Sequence, residues 1–451
     1  MAQQQSGNTV VFCFGVTAGF TVIKYGPEKA EVLHNVPIPW ILEGNNVIWP
    51  YQWLVKQLCS AKEKYVFPGD ILSLGMWGAD MAVIRKNGEV NPLLHYRSAT
   101  NADLDLMLSR IGVTREEMYL HSGGAAAASY QPLGLIGAQK RYDPTFFKRW
   151  LTSPIENIVP MSTIMTLILT GELGNDSIML QDMGLCKNAK ALYSKLGIDE
   201  ISEETFFADD CPTFDQSKVI TTPFKGGEIF VIPMGHDSVH SRNVSFALTE
   251  ATHGVTVNNW TGSWYGNAFK IDGNILPSRE TFLQNINFEG DAVVTNIAMI
   301  GPIYKKLMNL YRLENYKAAS DLAATAFPTP AMAMDELLDP NFADSDFARC
   351  GDASIILASF LKGAAALAIN DAKNMLATLS LPEPNTISVT GGWGENKTYI
   401  QALACHNLHI NATVVRHATN ATPAGLAADA QVRMCLFPDL QSALLALPEL
   451  K

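Results

Sequence analysis

The chain has 451 residues, 47% of them apolar and 17% charged, with a formal net charge of −11. That length exceeds what one hydrophobic core sustains, so two domains are expected, and an acidic balance without any lysine or arginine block argues against a nucleic-acid partner and for a small-molecule ligand. The seven cysteines lack C-x-x-C spacing, which speaks against a zinc site or disulfide frame and for reduced, buried thiols in a cytoplasmic protein.

The start, "MAQQQSGNTV", has no charged and apolar stretch of the kind that marks export. In "TVVFCFGVTAGFTVIKYG" two strands are expected, over residues 10–16 and 21–25, joined by a small-residue turn whose N–H groups can cradle a phosphate. Residues 51–64 predict a helix with Leu54, Leu58 and Ala61 on one face. Strands follow over 70–76 and 81–85, the second leaving through the Asn87-Gly88 turn. This alternation indicates an α/β domain. Residues 103–196 read as mostly helical, and 228–233 as a buried strand.

After that strand the opening pattern returns. Residues 254–259 alternate, "TGSW" at 261–264 forms a turn of mostly small residues, and 265–271 resumes as a strand. Such weak internal similarity points to two related α/β domains facing one another, with a boundary near Ser241. Helices are expected over 291–311 and 351–380. The apolar run 355–369 is interrupted by Lys362 and Gly363, so it reads as a buried helix and not a membrane span. Residues 386–404 run strand, glycine turn, helix.

Four constellations can carry chemistry. "FVIPMGHDSVHS" puts His236 and Asp237 at the end of a buried strand just before a helix. Asp237 is there either an N-cap or a general base that takes a proton from a hydroxyl nucleophile. The two turns, Gly15 with Thr17 and Thr261-Gly262-Ser263, combine close backbone approach to a phosphate with hydroxyl donors. Gly391-Gly392 with Asn396 is either tight packing or a flat surface for a nucleoside. In "LGMWGAD", Trp77 beside Gly78 either stacks on a sugar or belongs to the core. Cys405, His406 and His409 share one helix without a fourth ligand, so no metal site is expected there.

Together these residues resemble the FGGY carbohydrate kinases, in particular the branch of the L-rhamnulose and L-fuculose kinases. The similarity runs through nearly the whole chain in one order: the first hairpin, "GMWGADMAVIRKNGEVNPLLHYR", "GHD", "TGSW", "TGGWGEN" and "ATPAGLAA". The resemblance implies two actin-like, ribonuclease-H-like α/β domains with a cleft between them. Residues 1–241 would carry the sugar side and the first phosphate hairpin, and 242–451 the nucleotide side. It implies ATP and Mg²⁺, a ketose substrate, no membrane or nucleic-acid partner, and a scaffold compatible with a homodimer. Asp237 matches the catalytic base. Thr261, Gly262 and Ser263 match the second phosphate loop, with Ser263 for the usual threonine, and Gly15 and Thr17 fall on the first. Gly391, Gly392 and Asn396 match the adenosine site, Asn296 falls near the nucleotide, and Trp77, Gly78 and His236 fall where the sugar is expected.

One departure stands out. Where the family reads Asp-x-Gly-Thr or Asp-x-Gly-Lys, this chain has Cys13-Phe14-Gly15-Val16. A neutral thiol is a poor ligand for Mg²⁺, which takes oxygens. Two expectations follow: a kinase whose Mg²⁺ rides mainly on ATP and Asp237, or a sugar- and nucleotide-binding pseudokinase acting as a sensor.

Overall fold

The computed structural model describes residues 7–15, 19–122, 129–130, 132–146, 155–174, 179–180, 183–185, 195, 219–253, 256–262, 265–271, 283–286, 292–326, 328–381, 383–406 and 410–450. Two compact units result: Met1–His240 with Ser278–Ala292 and Leu426–Lys451, and Ser241–Pro277 with Val293–Gly425.

The first unit is built on a sheet in the order Ile220–Phe224, Gly227–His236, Ile71–Met76, Thr9–Gly15, Gly19–Tyr25, Ala30–Val36. Thr9–Gly15 pairs antiparallel with Gly19–Tyr25 and parallel with Ile71–Met76, which in turn runs parallel to Gly227–His236. Val10, Val11, Phe12 and Phe14 are all fully buried, as an inner strand covered on both faces requires. Helix Tyr51–Tyr65 buries Leu54, Leu58 and Ala61, the i, i+4, i+7 stripe. Residues 103–196 are less uniformly helical than their sequence suggests. Strand Ile155–Pro160 lies there and pairs with Met81–Arg85 in a small separate sheet.

The second unit repeats this topology. Its sheet contains, in order, Ala292–Ala298, Tyr265–Ile271, Thr256–Thr261, Thr386–Gly391 and Asn411–Val414. Again a hairpin's first strand pairs antiparallel with its return strand and parallel with a later one. Residues 291–311 are not one helix, as expected, but strand Ala292–Ala298 followed by helix Gly301–Leu310. The β-branched Val293, Val294, Thr295 and Ile297 favour the strand, and Pro302 in the first turn starts a new helix. Among the described residues, helix Ala353–Leu379 is long and apolar enough to cross a membrane, but 61% of its most apolar window is buried inside the protein. Asp352 caps it by accepting the N–H groups of Ser354 and Ile355.

Two further expectations are corrected. The C-terminal segment does not stay with the second half of the chain but packs into the first unit. There Ser73 donates to the Leu426 carbonyl at 2.9 Å, and Ala430 packs on Ile71 and Ile232. The described cysteines are free, and four of them are not buried: Cys59, Cys350, Cys405 and Cys435 are exposed, while Cys13 is half-buried. Cys59, for one, follows the buried Leu58 by a single residue, about 100° around the helix and off its apolar stripe.

Candidate functional site

In parallel sheets, ligands bind beyond the carboxyl ends of the strands. The registers Cys13 with Gly75, Gly75 with Gly235, and Met76 with His236 bring three such ends of the first unit level. Gly15 closes one strand, Trp77 and Gly78 follow the second, and Asp237 follows the third. Residues far apart in sequence thus share one sheet edge. Thr17 and Val16 lie outside the described residues.

Asp237 opens the helix Asp237–His253. Its Oδ1 accepts the Ser238 N–H at 2.6 Å and the Ser238 hydroxyl at 3.1 Å, while His236 Nε2 stands 3.3 Å away. Its side chain remains 26% exposed, so the carboxylate serves the first helical turn and still faces outward. Burial, and then the charge of Asp237, push the Cys13 thiol up to about 12. At neutral pH it therefore carries its proton.

Trp77 belongs to the core. Its indole is only 6% exposed, stacks on Trp49 at 5.5 Å and donates to Asp80 Oδ2 at 3.0 Å, so a sugar has no open indole face to lie on. Asp80 Oδ2 also accepts the Trp49 indole N–H at 3.0 Å, and Oδ1 accepts the Tyr96 N–H at 2.7 Å. His95 approaches Asp80 at 3.7 Å without forming an ion pair, because burial, and then the charge of Arg97, hold its imidazole neutral, down at about 3. Sequence reasoning passed over Asp80. The available signal was one acid inside an otherwise apolar stretch on either side of a turn.

In the second unit, the strand ends Thr261 and Gly391 are register partners. The Thr261 hydroxyl donates to the Thr390 carbonyl at 2.8 Å and accepts the Trp393 N–H at 3.0 Å. That hydrogen is committed to the fold, so a phosphate here would meet the exposed Gly262 and not the Thr261 hydroxyl. Ser263 lies outside the described residues. Asn396 is fully buried and caps the following helix by accepting the Tyr399 N–H at 3.1 Å, while its Nδ2 donates to the Tyr304 hydroxyl at 3.2 Å. Direct contact with a nucleoside is thereby closed to it. Asn296 sits on a strand and accepts the Asn267 N–H at 3.0 Å, a bond that ties neighbouring strands.

Gly391 has φ +86°, and a Cβ there would lie 1.8 Å from the Thr261 carbonyl oxygen. Gly391→Ala is expected to cost about 1–3 kcal/mol from the left-handed backbone alone, with the clash adding to it. The midpoint of urea unfolding measures this loss.

For Mg²⁺, the first unit's edge offers the Asp237 carboxylate and a protonated Cys13, and no cluster of three or more acidic, His or Cys side chains occurs among the described residues. Because Mg²⁺ typically uses one or two carboxylates plus substrate phosphates, this set fits an ion carried mainly by a triphosphate.

No protein-family model matches the chain, and no curated protein matches it in sequence. Solved structures do resemble it. Xylulose kinase from Lactobacillus acidophilus superposes with a TM-score of 0.72 at 15% identity, covering 99% of this chain and 93% of its own. Gluconate kinase from the same organism gives 0.70 at 14% identity, with the same coverage. Plasmodium falciparum glycerol kinase, solved with ADP, gives 0.70 at 12% identity and covers 97% of this chain and 92% of its own. At such identities the likeness establishes the fold: α/β, with two sheet-rich units of the actin-like, ribonuclease-H-like kind found in sugar kinases.

Proposed function

We propose that this protein transfers the γ-phosphoryl group of ATP to a hydroxyl of a ketose of the L-rhamnulose or L-fuculose kind, with Asp237 as general base. The observation that carries this reading is the meeting, at one sheet edge, of the Gly15 hairpin end, Gly78 and an outward-facing Asp237. The shared fold of the xylulose, gluconate and glycerol kinases supports it.

In this mechanism Asp237 takes the proton of the attacking hydroxyl. A new oxygen–phosphorus bond forms as the bond from the γ-phosphorus to the bridging oxygen breaks, and ADP leaves with that electron pair. His236, 3.3 Å from Oδ1, orients the carboxylate beside the sugar. Within the first unit the Gly15 turn is the candidate phosphate contact, and within the second unit the turn at Gly262 is a candidate phosphate contact and the Gly391-Gly392 turn a candidate border of the nucleoside. Asp237 would hold Mg²⁺, which, when bound, supplies charge neutralisation across the phosphates.

The neutral thiol of Cys13 favours one second reading, a sensor that binds ligands without turnover. A panel of ketoses and polyols with Mg-ATP, reading ADP release beside thermal shifts, separates the two. Sugar-dependent ADP release is expected; melting shifts without turnover would establish the sensor. Cys13→Asp is expected to raise sugar-dependent turnover about tenfold, or to lower the Mg²⁺ needed, by adding the oxygen ligand the thiol lacks. Tenfold corresponds to only about 1.4 kcal/mol of transition-state stabilisation. A stable Cys13→Asp protein that binds ATP yet phosphorylates nothing in the panel would point to the sensor.

A further inference from the structure

Beside the Gly391-Gly392 turn the second unit carries a stack of aromatic rings. Phe360 lies on Tyr304 at 5.5 Å and 25°, and Tyr304 on Tyr316 at 6.1 Å and 13°. Trp393 meets the middle ring edge-on at 5.0 Å. Phe360, Tyr304 and Trp393 are buried, whereas Tyr316 is half-buried and ends the stack. A Cβ on Gly392 would lie 3.2 Å from Tyr316 Cε2, slightly tighter than ordinary contact, so the ring rests close against the turn. Gly392 and Tyr316, both half-buried, therefore share the surface beside the turn. Asn396 donates to the hydroxyl of the middle ring, Tyr304, at 3.2 Å and so helps hold the stack in place. Tyr316 itself is seated by the start of its helix, where Asn315 accepts the Ala318 N–H at 2.8 Å.

We infer that Tyr316 is the platform on which the base of the nucleotide stacks. A half-buried ring at the end of a rigid stack has the right character: its inner side is fixed by Tyr304, and a planar base extends the stack outward. Aromatic stacking of this kind contributes to affinity without reading the base by hydrogen bonds. The inference rests on the proposed nucleotide site.

Its test compares ADP with inorganic tripolyphosphate, titrated calorimetrically into wild type, Tyr316→Leu, Tyr316→Phe and Tyr316→Trp. Tyr316→Leu is expected to weaken ADP about tenfold, within the range seen when a stacking ring is removed. Tyr316→Phe and Tyr316→Trp should hold ADP within about twofold of wild type, since both keep a ring. Tripolyphosphate, which has no base, should bind all four alike. Wild-type ADP affinity in Tyr316→Leu, equal weakening of ADP and tripolyphosphate, or loss in Tyr316→Phe would each overturn the role of Tyr316 while leaving the nucleotide site standing. Should Tyr316→Leu fail to fold, loss of ADP affinity in a folded Tyr316→Trp or Tyr316→Phe still overturns it. A wild-type protein that binds no ADP removes the nucleotide site and this inference together.

Discussion

Replacing Asp237 by asparagine is expected to lower kcat for sugar phosphorylation by roughly 10²–10⁴-fold while leaving ATP affinity nearly unchanged. The substitution separates the residue's two tasks. Asparagine keeps a side-chain oxygen for the Ser238 N–H, which Asp237 now accepts at 2.6 Å, and it is as good as aspartate at a helix start. What it loses is the ability to take a proton from an attacking hydroxyl, together with one charged ligand for an Mg²⁺ that rides mainly on the triphosphate. The melting temperature should therefore stay close to wild type as turnover collapses. Steady-state kinetics on the responsive sugar, with ADP titration and thermal melts, measure all three quantities. Turnover at the wild-type rate would reduce Asp237 to a helix cap.

The largest expected loss of stability comes from Asp80→Ala. The variant strands the indole N–H groups of Trp49 and Trp77 and the backbone N–H of Tyr96, which now converge on one buried carboxylate. Each buried donor left without an acceptor costs about 1–3 kcal/mol, so a total on the order of 4 kcal/mol is expected. Burial pushes the Asp80 carboxyl up to about 7, against the pull of its N–H donors, from an ordinary 3.8. The sign of the pH dependence follows. Between about pH 4 and about pH 7 the folded protein holds this proton more tightly than the unfolded chain, so the contribution of Asp80 to stability falls as pH rises through that window. The gap between wild type and Asp80→Ala should be widest near pH 4 and narrow toward pH 7, as urea unfolding across that range would measure. A constant gap would mean that Asp80 is ionised throughout, and equal stability would mean that its donors find other acceptors.

Much of the fold is legible locally. An apolar run broken at Gly15, and apolar alternation before Thr261–Gly262, mark the two hairpins, and the stripe Leu54, Leu58, Ala61 marks a helix, because strand and helix patterns are written into neighbouring residues. The strand 292–298 was hidden, since the apolar run containing it continues into a helix and only β-branching and Pro302 separate them. Asp237 at a strand end before a helix was visible for the same local reason.

The order of residues along the chain determined the two repeated α/β halves, the glycine turns and the placing of Asp237 between strand and helix. Tertiary structure alone decided which polar groups remain available. The Thr261 hydroxyl, the Asn396 amide and the Trp77 indole all look like ligand contacts in sequence, yet each is bound to a group of the fold, at Thr390, Tyr304 and Asp80 respectively. Conversely, Tyr316 and Gly392 lie far apart in the chain and meet only because a helix end packs against a turn. A buried donor or acceptor must find a partner wherever the chain supplies one, and that partner is often distant in sequence; local pattern can name the residue type a site needs but not whether its hydrogen bonds are already taken.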